Sequence, residues 1–276
     1  MILDTICQAK NKRLEALKSH LPFSRLEALA AKRSTPPLSL FDTLKTSGLS
    51  VIAEVKKASP SKGLIEPNFH PVEKARLYEA NGADALSVLT EEDFFLGHMD
   101  YLQAIRKEVS LPLLCKDFML EEYQILQAYS MGADAILLIA AILDDKTLAR
   151  LFAYAKSLGL SVLMEAHTRE EVERLTQAGG QILGINNRDL NTFKVDLNTF
   201  PRLRAFIPKN CAAVCESGIQ NGADAAFAYE NGADAILVGE SLMRSGETGS
   251  LLKSLRLGAG EKTKARSEEG QSHEAG

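Results

Sequence analysis

The stretches GADALSVLT (82–90), GADAILLIA (132–140) and GADAILVGE (232–240) repeat one pattern three times along the chain. Each copy begins with a glycine, which tolerates the left-handed conformation found at helix C-termini. Each then enters an apolar run that is typical of a buried strand. The copies lie 50 and 100 residues apart, which fits whole numbers of strand–helix units. Such internal repetition predicts a regular alternation of helices and strands.

A fourth GADA sequence begins at Gly222 and continues differently from the other three. It runs into AAFAYENG (225–232), and another glycine arrives ten residues after Gly222, at Gly232. This spacing leaves room for a short helix that ends where the next copy begins. We therefore expect residue 222 to start a helix.

Five further apolar runs complete the predicted strands. They are VIAEVK (51–56), LPLLCK (111–116), LSVLME (160–165), QILGIN (181–186) and AAVCES (212–217). Helical patterns lie between strands, for example at 72–80, 121–130, 145–159 and 169–179. Eight strands that alternate with helices over roughly 250 residues predict an α/β fold of the (β/α)8 TIM-barrel type. An open, doubly wound sheet is the alternative, but VIAEVKKASPSKG (51–63) lacks the glycine-rich fingerprint that usually follows its first strand.

The predicted domain organisation is one TIM-barrel domain, residues 1–257, which includes an N-terminal helical extension, residues 1–50. Leucines at helical spacing indicate amphipathic helix in that extension, and Pro22 interrupts it. The extension could close the bottom of the barrel or reach over its top. Residues 258–276 are rich in glycine and charge and contain no large apolar residue, so they are expected to be a disordered tail. The leucines at helical spacing in the N-terminal extension are Leu14, Leu17, Leu21, Leu26 and Leu29.

Composition excludes several classes of function. The net charge of −4 gives no basic field for nucleic acid, and no apolar run approaches the length of a membrane span. The start of the chain lacks a signal peptide's apolar core. The four cysteines form no Cys-x-x-Cys pair and no metal-ligating cluster, so we expect free thiols and a cytoplasmic location. Cys115 and Cys215 are expected to face the layer between strands and helices.

Charged and polar side chains interrupt the apolar runs where five predicted strands end. In a TIM barrel the active site lies at these carboxyl ends. Solvated loop residues are the alternative for any one of them, but the recurrence at five strands favours a shared site. Carboxylates and ammonium groups that lie together perturb one another's pKa and suit acid–base chemistry. The residues expected around one mouth are Glu54, Lys56, Lys116, Glu165, Asn186, Arg188 and Glu216.

The loops after the seventh and eighth predicted strands favour a phosphate site. They read Glu216-Ser217-Gly218-Ile219 and Val238-Gly239-Glu240-Ser241. In many TIM barrels these two loops bind phosphate, and Gly218 and Gly239 would let backbone N–H groups approach the anion. Either glycine could otherwise be an ordinary turn residue.

Other loops at the same end could complete the site. The long loop after the first strand could form a lid, with Lys57, Ser59 and Lys62 in reach of an anion. Phe94, Phe95 and Phe118 form either an aromatic wall or simple loop packing, and the wall is favoured. His167 is a rival general base, although a position at the start of a helix capped by Thr168 is the favoured interpretation.

These motifs together resemble indole-3-glycerol phosphate synthase, a family of tryptophan biosynthesis, from about residue 1 to 256. The resemblance implies a TIM barrel and a lyase that decarboxylates and dehydrates 1-(2-carboxyphenylamino)-1-deoxyribulose 5-phosphate as it closes the indole ring. It implies no cofactor and leaves protein partners unknown. The motifs that carry it are AEVKKASPSKG (53–63), LSVLTE (86–91), LLCKDF (113–118), LMEAH (163–167), GINNRDL (184–190), ESGI (216–219) and VGESLM (238–243).

The resemblance also implies a role for each site residue. Lys116 is the implied general acid, Glu165 the acid–base partner in dehydration, and Lys56 a second acid or a contact of the substrate carboxylate. Glu54, Asn186 and Glu216 are implied to position the substrate and the lysines. Implied substrate and phosphate contacts are Ser59, Phe118, Arg188, Ser217, Gly218, Gly239 and Glu240. An isomerase of phosphorylated sugars and a catalytically silent binding barrel are the alternative functions.

Overall fold

The predicted strands close into a barrel in the computed structural model, which describes residues 2–46, 48–190 and 192–256. Within these residues eight parallel strands pair in sequence order, and the last pairs with the first. The TIM-barrel prediction is therefore confirmed, and the predicted tail, 258–276, lies outside the described residues. The strands are β1 (Ser50–Val55), β2 (Ala85–Leu89), β3 (Leu113–Lys116), β4 (Ala135–Ile139), β5 (Ser161–Ala166), β6 (Ile182–Asn186), β7 (Ala212–Glu216) and β8 (Ala235–Val238).

Helices surround the barrel and precede it. Several begin where the sequence provides a capping side chain: Asp144, Thr168 and Asn221 each accept a bond from a backbone N–H in the first turn that follows. Residues 248–256 are also helical. The other helices are α1 (Ile2–His20), α2 (Phe23–Ala30), α3 (Leu40–Leu44), α4 (Pro71–Ala80), α5 (Met99–Arg106), α6 (Glu122–Ser130), α7 (Asp145–Ser157), α8 (Arg169–Gln177), α9 (Thr199–Arg204), α10 (Gly222–Glu230) and α11 (Glu240–Arg244).

The GADA repeats end helices and start strands, as predicted, and Gly222 starts α10. Gly82, Gly132 and Gly232 have φ angles of 90°, 93° and 86°, in the left-handed region that favours glycine. The aspartate of each of these three copies then caps a neighbouring strand at the bottom of the barrel. The three bonds run from the N–H of Val51 to Asp84, of Leu113 to Asp134 and of Ala213 to Asp234, at 2.8, 2.9 and 2.8 Å.

Side chains alternate between two apolar layers. The outer layer fills the space between strands and helices, and it contains Cys115 and Cys215 as expected. The inner layer fills the barrel and includes Leu40 and Leu44 of α3, which plug its bottom. Since the interior is packed below, the barrel leaves room for a large cavity at the carboxyl ends of the strands.

The N-terminal extension closes the bottom and also reaches the top. Helix α3 supplies the plug, while α1 runs to the loops that follow β2 and β3. There the buried Lys10 pairs with Asp117 at 2.7 Å, and Arg13 pairs with Glu92 and Asp93. The extension thus braces the loop that begins directly after Lys116.

The apolar face of the extension differs in part from the predicted leucine pattern. Leu14 and Leu26 are buried, but Leu17 and Leu29 are exposed. None of the helices in the described part of the chain is both long enough and apolar enough to cross a membrane.

Candidate active site

A cavity of about 820 Å³ opens at the carboxyl ends of the barrel strands. Thirteen of the predicted catalytic and substrate-binding residues lie in its lining, and they come from six different strand ends or the loops that follow them. Their shared position follows from the parallel barrel, which gathers all eight carboxyl ends at one mouth. They are Glu54, Lys56, Ser59, Lys116, Phe118, Glu165, Asn186, Arg188, Glu216, Ser217, Gly218, Gly239 and Glu240.

Lys116 lies on the floor of the cavity between two buried carboxylates. Its Nζ is 3.0 Å from Oε2 of Glu165 and 2.9 Å from Oε2 of Glu216. Asn186 donates from Nδ2 to Oε1 of Glu165 at 3.0 Å. These bonds fix the ammonium and the Glu165 carboxylate relative to each other, as a proton donor and acceptor pair requires.

The shared lysine and burial push the pKa values of the two carboxylates apart. Burial alone would raise the pKa of Glu165, but Lys116, His167 and Asn186 stabilise its anion and lower that pKa. Burial and the nearby charge of Glu165 raise the pKa of Glu216, although Lys116 opposes them. Burial disfavours the ammonium, yet the two carboxylates raise the pKa of Lys116. Such divergent pKa values suit neighbouring groups that take different parts in proton transfer.

Glu216 depends on a glycine that the sequence analysis missed as a site residue. A Cβ on Gly184 would collide with Oε1 of Glu216, so only glycine lets this carboxylate lie across β6. That same Oε1 is buried and has no hydrogen-bond partner among the described residues. Gly184 begins the motif GINNRDL, but the requirement for glycine arises from contact between two strands and leaves no signal in the local sequence.

Glu54 and Lys56 form a second charged pair in the lining of the cavity. Both lie at the end of β1, and Nζ of Lys56 bonds to Oε1 of Glu54. A Cβ on Gly239 would collide with that same oxygen and lie 3.0 Å from Nζ of Lys56. Only glycine at position 239, directly after β8, leaves room for the side chains of this pair.

Basic side chains and strained backbone meet where phosphate was predicted. Ser217 and Gly218 follow β7 with φ angles of 64° and 92°, and Asn187 donates to the carbonyl of Ser217 at 3.0 Å. The carboxylate of Glu240 lies among three cations: Lys62 and Arg244 at 3.4 Å and Arg188 at 3.8 Å. This cluster can receive a dianion once Glu240 releases its partners. Arg244 was missed, although its position four residues after Glu240 on α11 is a recognisable signal.

The loop after β1 and an aromatic pair border the cavity. The loop folds into a short hairpin, Ala58–Ser59 with Gly63–Leu64, which places Ser59 and Lys62 in the lining. Phe95 and Phe118 both line the cavity, with ring centroids 6.2 Å apart. Lys57 and Phe94 are not among its lining residues.

Thr168 caps α8 as predicted, but His167 also approaches the site. Thr168 accepts from the N–H of Glu171 at 3.2 Å. The ring of His167 lies beside Glu165, with Nε2 3.5 Å from Oε1. His167 thus lies just before a capped helix and also contacts Glu165 of the site.

Comparison with known proteins identifies the family. The family model described as indole-3-glycerol phosphate synthase matches residues 3–255. The chain belongs to the indole-3-glycerol phosphate synthase family. A relative of that name from Ruminiclostridium cellulolyticum is 47% identical over 257 residues, which cover 93% of this chain and 99% of the relative. One from Dehalococcoides mccartyi is 45% identical over 258 residues, which cover 92% of this chain and all of the relative.

Solved structures outside the indole-3-glycerol phosphate synthase family share the barrel. A crystal structure of 3-hexulose-6-phosphate synthase aligns with a TM-score of 0.61 and 14% sequence identity. The alignment covers 76% of this chain and 99% of that one. At this identity the likeness concerns the fold alone.

Proposed function

We propose that this chain catalyses the reaction of its family in tryptophan biosynthesis. It closes the indole ring of 1-(2-carboxyphenylamino)-1-deoxyribulose 5-phosphate with loss of CO2 and water. The observation that carries the proposal is Lys116, which stands within 3.0 Å of two buried carboxylates on the cavity floor. The reaction needs an acid and a base on one small substrate, and this cluster supplies both.

Ring closure uses Lys116 as the general acid. The ring carbon that bears the carboxylate attacks the ketone carbon, and a C–C bond forms. The carbonyl electron pair moves to oxygen, which takes a proton from Nζ of Lys116. Breakage of the C–COO bond then releases CO2 and returns its electron pair to the ring.

Dehydration uses Glu165 as the base. The hydroxyl leaves as water after it is protonated, with Lys56 as the proposed second acid. The carbon beside nitrogen loses its proton to the ionised carboxylate of Glu165. The lowered pKa of Glu165 keeps it available as an anion, while the raised pKa of Glu216 suits a group that holds Lys116 and exchanges protons with it.

The phosphate, the carboxylate and the aromatic ring of the substrate each have candidate partners in the cavity. Its phosphate would lie between Arg188 and the backbone N–H groups at Ser217, Gly218, Gly239 and Glu240. Its aromatic ring would lie against Phe118, with Ser59 and Lys56 near the carboxylate. The two anionic groups of the substrate would meet hydrogen-bond donors or cations, and its aromatic ring would meet the ring of Phe118. A biosynthetic enzyme of this kind is expected in the cytoplasm.

A fluorescence assay for indole-3-glycerol phosphate tests the proposal. The purified chain is mixed with the carboxyphenylamino sugar phosphate, and indole fluorescence and CO2 release are followed together. We expect both products to form in equal amounts. An isomerised sugar without CO2 would support the phosphosugar isomerase instead, and binding without turnover would support a silent barrel.

A further inference from the structure

Asn187 is a buried amide that lies beside the cavity but is not among its lining residues. It directly follows β6, and only 2% of its surface is exposed. Its Nδ2 donates to the carbonyl of Ser217 at 3.0 Å and to Sγ of Cys215 at 3.2 Å, and its Oδ1 accepts the N–H of Phe200 at 3.0 Å. Both N–H bonds and the carbonyl of the amide are therefore in use. Any effect of Asn187 on substrate passes through the groups that it binds.

The main chain of Asn187 also joins two loops at the mouth of the barrel. Its N–H donates to the carbonyl of Glu216, the last residue of β7, at 2.9 Å. Its carbonyl accepts the N–H of Asp196 at 3.0 Å. The loop after β6 returns to this point, because Arg188 and Val195 pair as an antiparallel bridge. Asn187 thus lies at the base of both the loop after β6 and the loop after β7.

The loop after β7 has a strained backbone that the Asn187 amide supports. Ser217 has a φ of 64°, in the left-handed region that a residue with a Cβ disfavours, and Gly218 follows with a φ of 92°. The carbonyl of Ser217 and the N–H of Gly218 belong to one planar trans peptide, so they point in opposite directions. By holding this carbonyl, Asn187 fixes the N–H of Gly218 so that it points away from the buried amide.

The loop after β6 carries the charged partner of the same site. Arg188 lines the cavity, and its guanidinium lies 3.8 Å from the carboxylate of Glu240. Its own N–H donates to Oδ1 of Asn186 at 3.0 Å, and its Nη1 donates to the carbonyl of Phe193 at 3.3 Å. The guanidinium is thus held by its own loop, and Asn187 joins the base of that loop to β7. Asn187 therefore sets the distance between a cation and a backbone donor.

We propose that Asn187 is a positioning residue for the substrate phosphate, an inference that rests on the function proposed above. Its Nδ2 holds the carbonyl of Ser217, which keeps the N–H of Gly218 directed at the anion. Its main chain keeps Arg188 beside that N–H. Asn187 makes no bond to the substrate itself. Loss of the Nδ2 donor therefore weakens the binding of phosphate and leaves the acid–base cluster on the cavity floor in place.

Asn187→Asp tests the proposal, because an ionised carboxylate keeps the acceptor for Phe200 but cannot donate to Ser217. Calorimetry measures the affinities for inorganic phosphate, indole-3-glycerol phosphate and indole-3-glycerol. We expect the two phosphate ligands to bind about tenfold more weakly and indole-3-glycerol to change less than about twofold. In the fluorescence assay KM should rise about tenfold and kcat should stay within about threefold. Asn231→Asp is the matched control and should behave as wild type, since Nδ2 of Asn231 donates to the carbonyl of Phe227 at 2.8 Å and Asn231 does not line the cavity.

Ser217→Gly provides a rescue that a merely structural role would not show. Glycine adopts the left-handed conformation without strain, so the loop after β7 then depends less on the amide of Asn187. In the S217G background, N187D should weaken phosphate binding by less than about threefold, instead of about tenfold. If Asn187 served only to anchor Phe200, the effect of N187D would be the same in both backgrounds.

The proposal is overturned if N187D weakens indole-3-glycerol as much as its phosphate, or weakens neither. If N187D does not fold, Asn187→Ala gives the same ligand comparison without a buried charge. Failure of both variants to fold would assign Asn187 to the fold and would also overturn the proposal. Wild type that forms no indole-3-glycerol phosphate would instead refute the proposed function, and the affinity for inorganic phosphate would still decide the role of Asn187.

Discussion

Carboxylates are buried at both ends of the barrel, but the two ends provide them with different numbers of hydrogen-bond and ion-pair partners. At the bottom, Asp134 accepts from the N–H of Leu38 and of Leu113, and it pairs with Arg33 and Arg106 at 3.0 and 2.7 Å. Four donors thus surround one carboxylate. At the mouth, Glu165 and Glu216 share the single ammonium of Lys116, and Oε1 of Glu216 has no partner among the described residues.

The difference separates structural from chemical roles. A buried carboxylate with all its bonds made stabilises the strand that it caps, and its proton affinity does not matter. A buried carboxylate that lacks a bond destabilises the fold by about 1–3 kcal/mol, and its perturbed proton affinity suits a chemical role. We therefore expect substitutions at the bottom to change stability and substitutions at the mouth to change turnover.

Lys116→Met should give the largest effect on turnover. Loss of the general acid is expected to lower kcat by about 10²–10⁴-fold, while the side-chain volume is kept. The barrel should remain folded, because the raised pKa of Glu216 lets that carboxyl take up a proton once its partner is gone. The fluorescence assay and circular dichroism measure the two outcomes. A variant that keeps more than about a third of wild-type kcat would contradict the role of Lys116.

Asp134→Ala should show the opposite behaviour. Two partly buried arginines lose a partner and two backbone N–H groups lose an acceptor, so the free energy of unfolding should fall by about 3–5 kcal/mol. The kcat of the folded fraction should stay within about twofold of wild type. Urea unfolding measures the loss.

Asp145→Ala is the matched control for Asp134→Ala. Asp145 pairs with Arg174, but its side chain is 81% exposed, so its removal should cost less than about 1 kcal/mol. Equal losses for the two variants would mean that the repeat aspartates do not stabilise the bottom of the barrel.

Gly218→Val should have a smaller effect that is confined to the phosphate end. A side chain at φ 92° is strained by about 1–3 kcal/mol, and its Cβ would lie 2.7 Å from Val195 and 2.9 Å from Leu197. Phosphate-bearing ligands should bind about tenfold more weakly, and a dephosphorylated analogue should be little affected. Gly246→Val is the control, since a Cβ there meets nothing within 4 Å. Equal weakening of both ligands would move the phosphate site elsewhere.

Much of this architecture could be predicted because its signals are local. The glycine that ends a helix, the apolar run that follows and the charged residue where a strand stops all lie within ten residues of one another. The predicted strands accordingly agree with the observed ones to within two residues at most ends. The barrel then placed Lys116 and Glu216, a hundred residues apart in sequence, in contact.

The features that escaped prediction depend on long-range packing. Gly184 is required by Glu216, which lies across it from the neighbouring strand. The contact of His167 with both Glu165 and Glu171 depends on how α8 packs against β5. Helix α1 reaches the loop after β3 through Lys10, and no sequence pattern showed which end of the barrel it would choose.

Glu165→Gln tests the central claim most directly, because it removes the charge and keeps the shape. Lys116 retains Glu216 at 2.9 Å, so a buried charge is removed and the lysine still has a partner. We predict that kcat falls by about 10²-fold or more while KM stays within a few-fold and the melting temperature is no lower than that of wild type. Retained kcat together with a lower melting temperature would show that Glu165 serves the fold instead of the chemistry.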